Sequence, residues 1–328
     1  MDRAPNVGAL RAHGLHLAAA RIWRSRGAAV PPDLVEEARR AEIIAMAAPV
    51  LLERALGAYE GQLLLMKGPE AAAWHPHPAD RYFRDLDLLA DDAPAAQQAL
   101  VAAGFIELGD PARYDDAQHL RPLVWPGVPL VLELHRHPNR PAWLPTPEVR
   151  EIVGSCVTSA TGVPGLLAPD PSAHVLLLVA HSWAHQPLGR LVDLLDVAAL
   201  MRACDPRRVS ELARRWGWDG AWRVAAAATE AVFEQGGRSR TVSVWARHLS
   251  STRERTVLEN HLARFAAPAS ALPPARVPRA VAGVLRSTAT RRRDESWAGK
   301  LRRSRLAAAH ALMEKSTHER TLPPRAAS

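Results

Sequence analysis

Residues 84–90 read Arg84-Asp85-Leu86-Asp87-Leu88-Leu89-Ala90. Charged and apolar positions alternate, which is the period of an extended strand whose successive side chains face opposite ways. The spacing predicts a strand with Leu86 and Leu88 on an oily face and Asp85 and Asp87 side by side on the other. Two like charges that close repel, and burying them unpaired costs on the order of several kcal/mol. A divalent cation removes the conflict, and Mg²⁺ favours carboxylate oxygens together with substrate phosphates. A strand carrying two solvent-facing acids has the same spacing, so the pair needs support from its surroundings.

Upstream, Leu63–Lys67 is a short apolar run of strand length, ended by Gly68-Pro69 and a helical turn over 69–74. A proline-rich loop (75–82) leads into the aspartate strand. Downstream, Asp91 and Asp92 suit the start of a helix over 93–103, and Gly104 suits its end. A third strand is expected at 105–108, then a hairpin of strands 119–126 and 128–136 around Gly127. This succession predicts an α+β fold: a small mixed β-sheet with flanking helices, followed by an all-helical C-terminal half. Helical periods over 8–25 and 32–58, the latter with Pro49 as a kink site, precede the sheet. After Pro138 strand signals largely stop, and helices are expected over 171–186, 189–203, 206–216, 219–234 and 238–266. Residues 271–280 read as a linker, 296–313 as a basic amphipathic helix, and 316–328 as frayed. The expected divisions are N-terminal helices (1–60), an α+β core (61–140), a helical region (141–270), and a basic linker and tail (271–328).

Two features strengthen the metal reading. Glu133 lies in Val131-Leu132-Glu133-Leu134-His135, again alternating, and would join the aspartates if that strand neighbours theirs. Three carboxylates from two strands are what two-metal phosphoryl or nucleotidyl transfer needs. Lys67-Gly68 comes directly off a strand, where glycine permits close backbone approach and a helix start attracts phosphate. Lys67 is one of only three lysines in a chain with 42 Lys and Arg in all.

Composition narrows the remaining classes. The chain has 328 residues, 48% hydrophobic and 23% charged, enough for a sizeable core and against wholesale disorder. No apolar run approaches the ~18 residues of a membrane helix, and the start lacks a basic-then-apolar signal pattern. Two distant cysteines, Cys156 and Cys204, make no disulfide framework, so the expected compartment is the cytoplasm. Residues 1–250 carry a net charge of −2 and residues 251–328 a net of +10, so the basic balance belongs to the C-terminal quarter. Such a segment can meet an acidic partner or form a solvated face.

The run of Lys67-Gly68, Arg81, Asp85-Leu86-Asp87-Leu88-Leu89, Leu100 to Gly104-Phe105 and Glu133-Leu134-His135 resembles the bacterial uncharacterised nucleotidyltransferase family of the DNA-polymerase-β-like superfamily. The resemblance covers roughly residues 60–200. It implies Mg²⁺, two ions in the fullest case, on Asp85, Asp87 and Glu133, and a nucleoside triphosphate as donor. Lys67, Gly68, Arg81 and Arg84 become donor-binding candidates. His135, His181 and Asp196 become acceptor-side candidates. The superfamily's first motif is usually Gly-Ser or Gly-Gly, and Lys67-Gly68 stands in its place here. The expected activity is transfer of a nucleoside monophosphate, most simply AMP from ATP, to an acceptor hydroxyl on a small molecule, sugar, peptide or protein. The alternative is a non-catalytic binding module of the same fold whose basic tail recruits a partner.

Other chemistries have weaker support. His181 and His185, spaced i, i+4 on a helix, suit zinc, but no glutamate follows His181 as in a zinc-protease motif. The cysteines read as packing residues. Trp183, Trp216, Trp218 and Trp222 read as core, with an acceptor-stacking wall as the other reading.

Overall fold

The computed structural model of the protein describes residues 6–111, 114, 118–233, 247–250, 253–289, 296–302 and 305. Its centre is a mixed sheet of seven strands: β1 (Leu63–Leu65), β2 (Asp85–Ala90), β3 (Ile106–Glu107), β4 (Leu123–Val124), β5 (Val131–His135), β6 (Val157–Thr158) and β7 (Leu167–Ala168). Their order is β3-β4-β5-β2-β1-β7-β6. β2 lies centrally, antiparallel to β1 and parallel to β5, with Asp87 opposite Glu133 and Leu89 opposite His135.

Alternation fixes that register. Leu63, Leu65, Leu86, Leu88, Leu132 and Leu134 are buried against helices α3 (Pro32–Ala58) and α5 (Ala93–Ala102). Full burial of a leucine is worth roughly 1.5–3 kcal/mol. A one-residue slip of β2 would turn both aspartates into this layer and its leucines out of it. Opposite, Leu64, Met66 and Leu89 meet α7 (Pro171–His185), which the Asp170 side chain caps by accepting from Ser172 N–H at 3.0 Å. The carboxylates share this second face, beside α7.

Helices α8 (Leu191–Met201), α9 (Pro206–Arg215) and α10 (Asp219–Phe233) continue the α7 layer, and their core is continuous with the sheet's. α11 (Arg247–Ser250), α12 (Val257–Ala271) and α13 (Val277–Ala289) follow. Thr256 and Glu259 cap the start of α12 reciprocally.

Several local expectations change. The helix expected over 8–25 is two, α1 (Val7–Ala12) and α2 (His16–Ser25), separated by Gly14 at φ 71°. A Cβ on Gly14 would stand 2.7 Å from Val192 Cγ1, so a side chain there would push α8 away. α3 runs through Pro49 as one helix. The hairpin strands are shorter than expected, because Pro122 and Pro126 flank β4 and have no N–H to donate. β6 and β7, which extend the sheet edge inside the region expected to be helical, are two residues each, too short for a periodic signal. The linker expected at 271–280 is instead a short 3₁₀ turn (Pro274–Arg276) leading into α13, which packs on α12. Pro278 sits in the first turn of α13, where no N–H is required. Part of the helix expected at 238–266, most of that at 296–313 and all of the frayed end at 316–328 lie outside the described residues. No helix among the described residues is long and apolar enough to cross a membrane.

Candidate active site

The pairing of β2 with β5 brings Asp87, Glu133 and His135 together. One ligand atom from each lies within 4.8 Å of the others, the one group of three or more metal-capable side chains among the described residues. His135 Nε2 donates to Asp87 Oδ1 at 2.9 Å, and both residues are buried. The second oxygen, Asp87 Oδ2, is buried with no hydrogen-bond partner. Glu133 Oε2 is 3.9 Å from His135 Nε2 and 3.9 Å from His119 Nε2. His119 joins the site through an isolated bridge to His135; nothing in its sequence neighbourhood marks it. Asp85 stands two residues before Asp87 on the same strand; it feels the charge of Asp87, and Glu133 feels the charge of Asp85.

The charges settle unevenly. Burial alone would raise Asp87, but the His135 hydrogen bond and the charges of His135 and Lys67 outweigh it and hold Asp87 well below the usual carboxylate range. Burial raises Asp85, and Asp87 raises it further against Lys67 and Arg81. Burial raises Glu133; Asp87 and Asp85 add to this and the nearby histidines oppose it. The site thus holds one firmly ionised acid and two whose negative charge the fold disfavours. A cation beside Asp87 Oδ2 would reverse that.

Lys67 leaves β1 towards this cluster, and its Nζ donates to His181 Nε2 at 2.5 Å. Burial, then the Lys67 charge, pushes His181 far below its ordinary value, so the ring is neutral and can accept. His174, about two turns earlier on α7, donates from Nε2 to the Met66 carbonyl at 2.8 Å and fixes the backbone before Lys67. Gly68 has φ 67°, and a Cβ there would stand 2.9 Å from the Asp85 carbonyl oxygen. Glycine therefore lets the turn lie against the aspartate strand. The following helix α4 (Pro69–Ala73) has only five residues, so its dipole adds little to phosphate binding.

Two expected donor contacts stand elsewhere. Arg81 Nε and Nη2 hold Asp196 as a fork, with Nη2 to Oδ2 at 2.7 Å, and Nη1 donates to the Tyr82 carbonyl. His75 Nε2 lies 2.7 Å from Asp196 Oδ1. Arg81 and Asp196 are both buried and paired with each other. Burial works against both charges, but mutual attraction outweighs it, so Asp196 is held low and Arg81 high. Arg84 is exposed, its guanidinium 5.3 Å from the Tyr82 ring centroid. Of the zinc candidates, His181 binds Lys67 and His185 Nε2 meets Asn139 Nδ2 at 3.0 Å, with no third metal ligand beside them among the described residues. Trp216, Trp218 and Trp222 are core, and Trp183 is buried at its edge.

The resemblance implies two acids on one strand and a third on a later strand, and here those strands, β2 and β5, are parallel neighbours. A family model described as an uncharacterised nucleotidyltransferase matches residues 6–234. The chain belongs to this nucleotidyltransferase family. No curated protein matches it. The family match takes in the whole sheet and helices α1 to α10, and with them Lys67, the three acids and His181. Helices α11 to α13 lie beyond it.

Proposed function

We propose that the protein is a Mg²⁺-dependent nucleotidyltransferase that moves a nucleoside monophosphate, most simply AMP from ATP, onto an acceptor hydroxyl. The observation that carries this reading is the buried, unpartnered Asp87 Oδ2 in register with Glu133. The donor set fits the ion. Asp87 Oδ2 and Glu133, with Asp85 alongside, offer hard oxygen ligands. His135 holds Asp87 Oδ1 and leaves the buried Oδ2 without a protein donor, an orienting role of the kind common around metal sites. Bound Mg²⁺ would supply positive charge for the triphosphate and for the oxygens that bond and leave at phosphorus.

The chain's own groups supply the rest. Lys67 places an ammonium beside the aspartates, where the triphosphate's negative charge would collect. The close approach of the Gly68 turn to β2 lets donor and acids share one small volume. Glu133, opposite Asp87 on the neighbouring strand, accepts the proton of the acceptor hydroxyl. The acceptor oxygen bonds to the α-phosphorus, the bond to the bridging oxygen breaks, and pyrophosphate carries away the electron pair. Arg81 and Asp196 take a positioning role: their buried pair ties the loop before β2 to α8.

The test is incubation with ATP labelled at the α-phosphate, Mg²⁺ and a panel of hydroxyl-bearing acceptors. Labelled acceptor and pyrophosphate in equal amounts are expected. ADP and inorganic phosphate as the products would contradict nucleotidyl transfer. Tight nucleotide binding with no turnover on any acceptor would favour the binding-module reading.

A further inference from the structure

Beside the carboxylates lies a second, larger cavity of about 620 Å³. This is within the range of small-molecule sites, ~300–1,000 Å³. Trp143, Trp183 and Phe265 give it aromatic walls, and Arg264, Arg276 and Arg279 bring three guanidiniums. All three arginines are exposed, and none has an ion pair among the described residues. Trp183 is buried, yet its indole N–H has no hydrogen-bond partner.

Its position ties it to the reaction. The smaller cavity at Asp87, His135 and Lys67 is lined by Pro138, Asn139 and His181; the larger one takes Pro141 and Trp143 from the same loop and Ala184 from the same helix. Asn139 and Pro141 are two residues apart, at most ~7 Å along the chain. His181 and Ala184 are three apart on α7, a rise of ~4.5 Å on nearly one face. The two spaces are therefore lined by neighbouring stretches of the same loop and the same helix. The wall with the arginines comes from α12, the turn after it and α13, all beyond the family match. This also gives a role to part of the basic C-terminal quarter, which reads from sequence as a tail.

We propose that this cavity is the acceptor site, and that it selects an acceptor with an aromatic or apolar body and an acidic group. The proposal rests on the nucleotidyltransferase reading of the neighbouring carboxylates. Aromatic walls bury an apolar body, and the exposed guanidiniums that line the cavity recognise a carboxylate by paired hydrogen bonds. The reactive hydroxyl would extend past the 138–143 loop towards Glu133. The donor's triphosphate belongs at the smaller cavity, with Lys67 and the aspartates.

The experiment uses the full chain and two matched probes, naphthylacetate and its neutral amide, with dissociation constants measured by ligand-observed NMR. The acid should bind about tenfold more tightly than the amide, the scale of one charge-assisted hydrogen bond. In Arg276→Gln with Arg279→Gln the two probes should bind within about twofold of each other. Affinity for Mg²⁺-ATP should not change, and because both arginines are exposed the fold should not either. Equal binding of acid and amide, binding of neither, or a preference that survives the double substitution would overturn the proposal. So would a parallel loss of Mg²⁺-ATP affinity, which would give these arginines to the donor. Failure of the wild-type chain to bind Mg²⁺-ATP while still preferring the acid would instead remove the nucleotidyl-transfer reading.

Discussion

Two largely buried ionic clusters, one on β2 and β5 and one between the loop before β2 and α8, are built on opposite plans. In Arg81, Asp196 and His75 the one acid is met from two sides at 2.7 Å, and the guanidinium's donors are all directed at protein oxygens or a neighbouring carbonyl. In Asp85, Asp87 and Glu133 three acids crowd together, His135 satisfies one oxygen, and Asp87 Oδ2 is left over. The first cluster is complete without a ligand. The second carries negative charge that burial opposes, most at Asp85 and Glu133. A fold keeps such an arrangement at the expense of stability where an incoming cation compensates it. The difference separates a structural clamp from a site.

Breaking the clamp should give the largest effect. Arg81→Met leaves Asp196 buried without its main partner and should lower unfolding stability by ~3–5 kcal/mol, measured by chemical denaturation. A loss under ~1 kcal/mol would mean that the clamp holds nothing together.

Glu133→Gln probes the opposite plan. It removes a charge that burial already disfavours, so stability should hold or rise slightly, while turnover falls by ~10²–10⁴, the scale of a lost general base. Kinetics on an accepted hydroxyl compound measures it, and near-normal turnover would take Glu133 out of the chemistry.

The pH dependence of the apo protein sharpens the contrast further. Asp85 and Glu133 bind protons more tightly folded than unfolded, so their share of stability is lost as pH rises from ~4 through their raised values. Asp87 and Asp196 are depressed, so their share is present above ~4 and is lost only as pH falls through their folded values. Asp85→Asn should therefore raise the neutral-pH Tm by about 2 °C and flatten its fall between pH 4 and 7. A lower Tm at neutral pH would show that Asp85 is not strained in the apo fold.

The smallest effect belongs to Arg84. It is exposed and lies over Tyr82, so Arg84→Ala should change stability by less than ~0.5 kcal/mol and Mg²⁺-ATP affinity by less than about threefold. A tenfold loss of nucleotide affinity would return Arg84 to the donor site.

The site's strands were legible because a period of two is a strong local signal. Asp85 with Asp87, and Glu133 with His135, each declare a face within six residues, and leucines pin the other face. The clamp was not legible. Arg81 and Asp196 are 115 residues apart, and Lys67 and His181 114 apart. Nothing local to either partner tells a paired arginine from one that binds phosphate. The same blindness made the 3₁₀ turn and the start of α13 read as a linker: Pro273, Pro274 and Pro278 look like breaks until α12 is seen to pack against α13. β6 and β7, two residues each, carry no period at all.

The central claim is that Asp85 and Asp87 form a cation-dependent nucleotide site. The affinity of wild type for a fluorescent ATP analogue, with Mg²⁺ and then with a chelator, should be compared with that of Asp85→Asn/Asp87→Asn. Wild type should lose more than about tenfold on chelation. The double variant should fold, bind weakly in both conditions and show no Mg²⁺ dependence. A folded double variant that keeps the wild-type Mg²⁺ dependence would contradict the account.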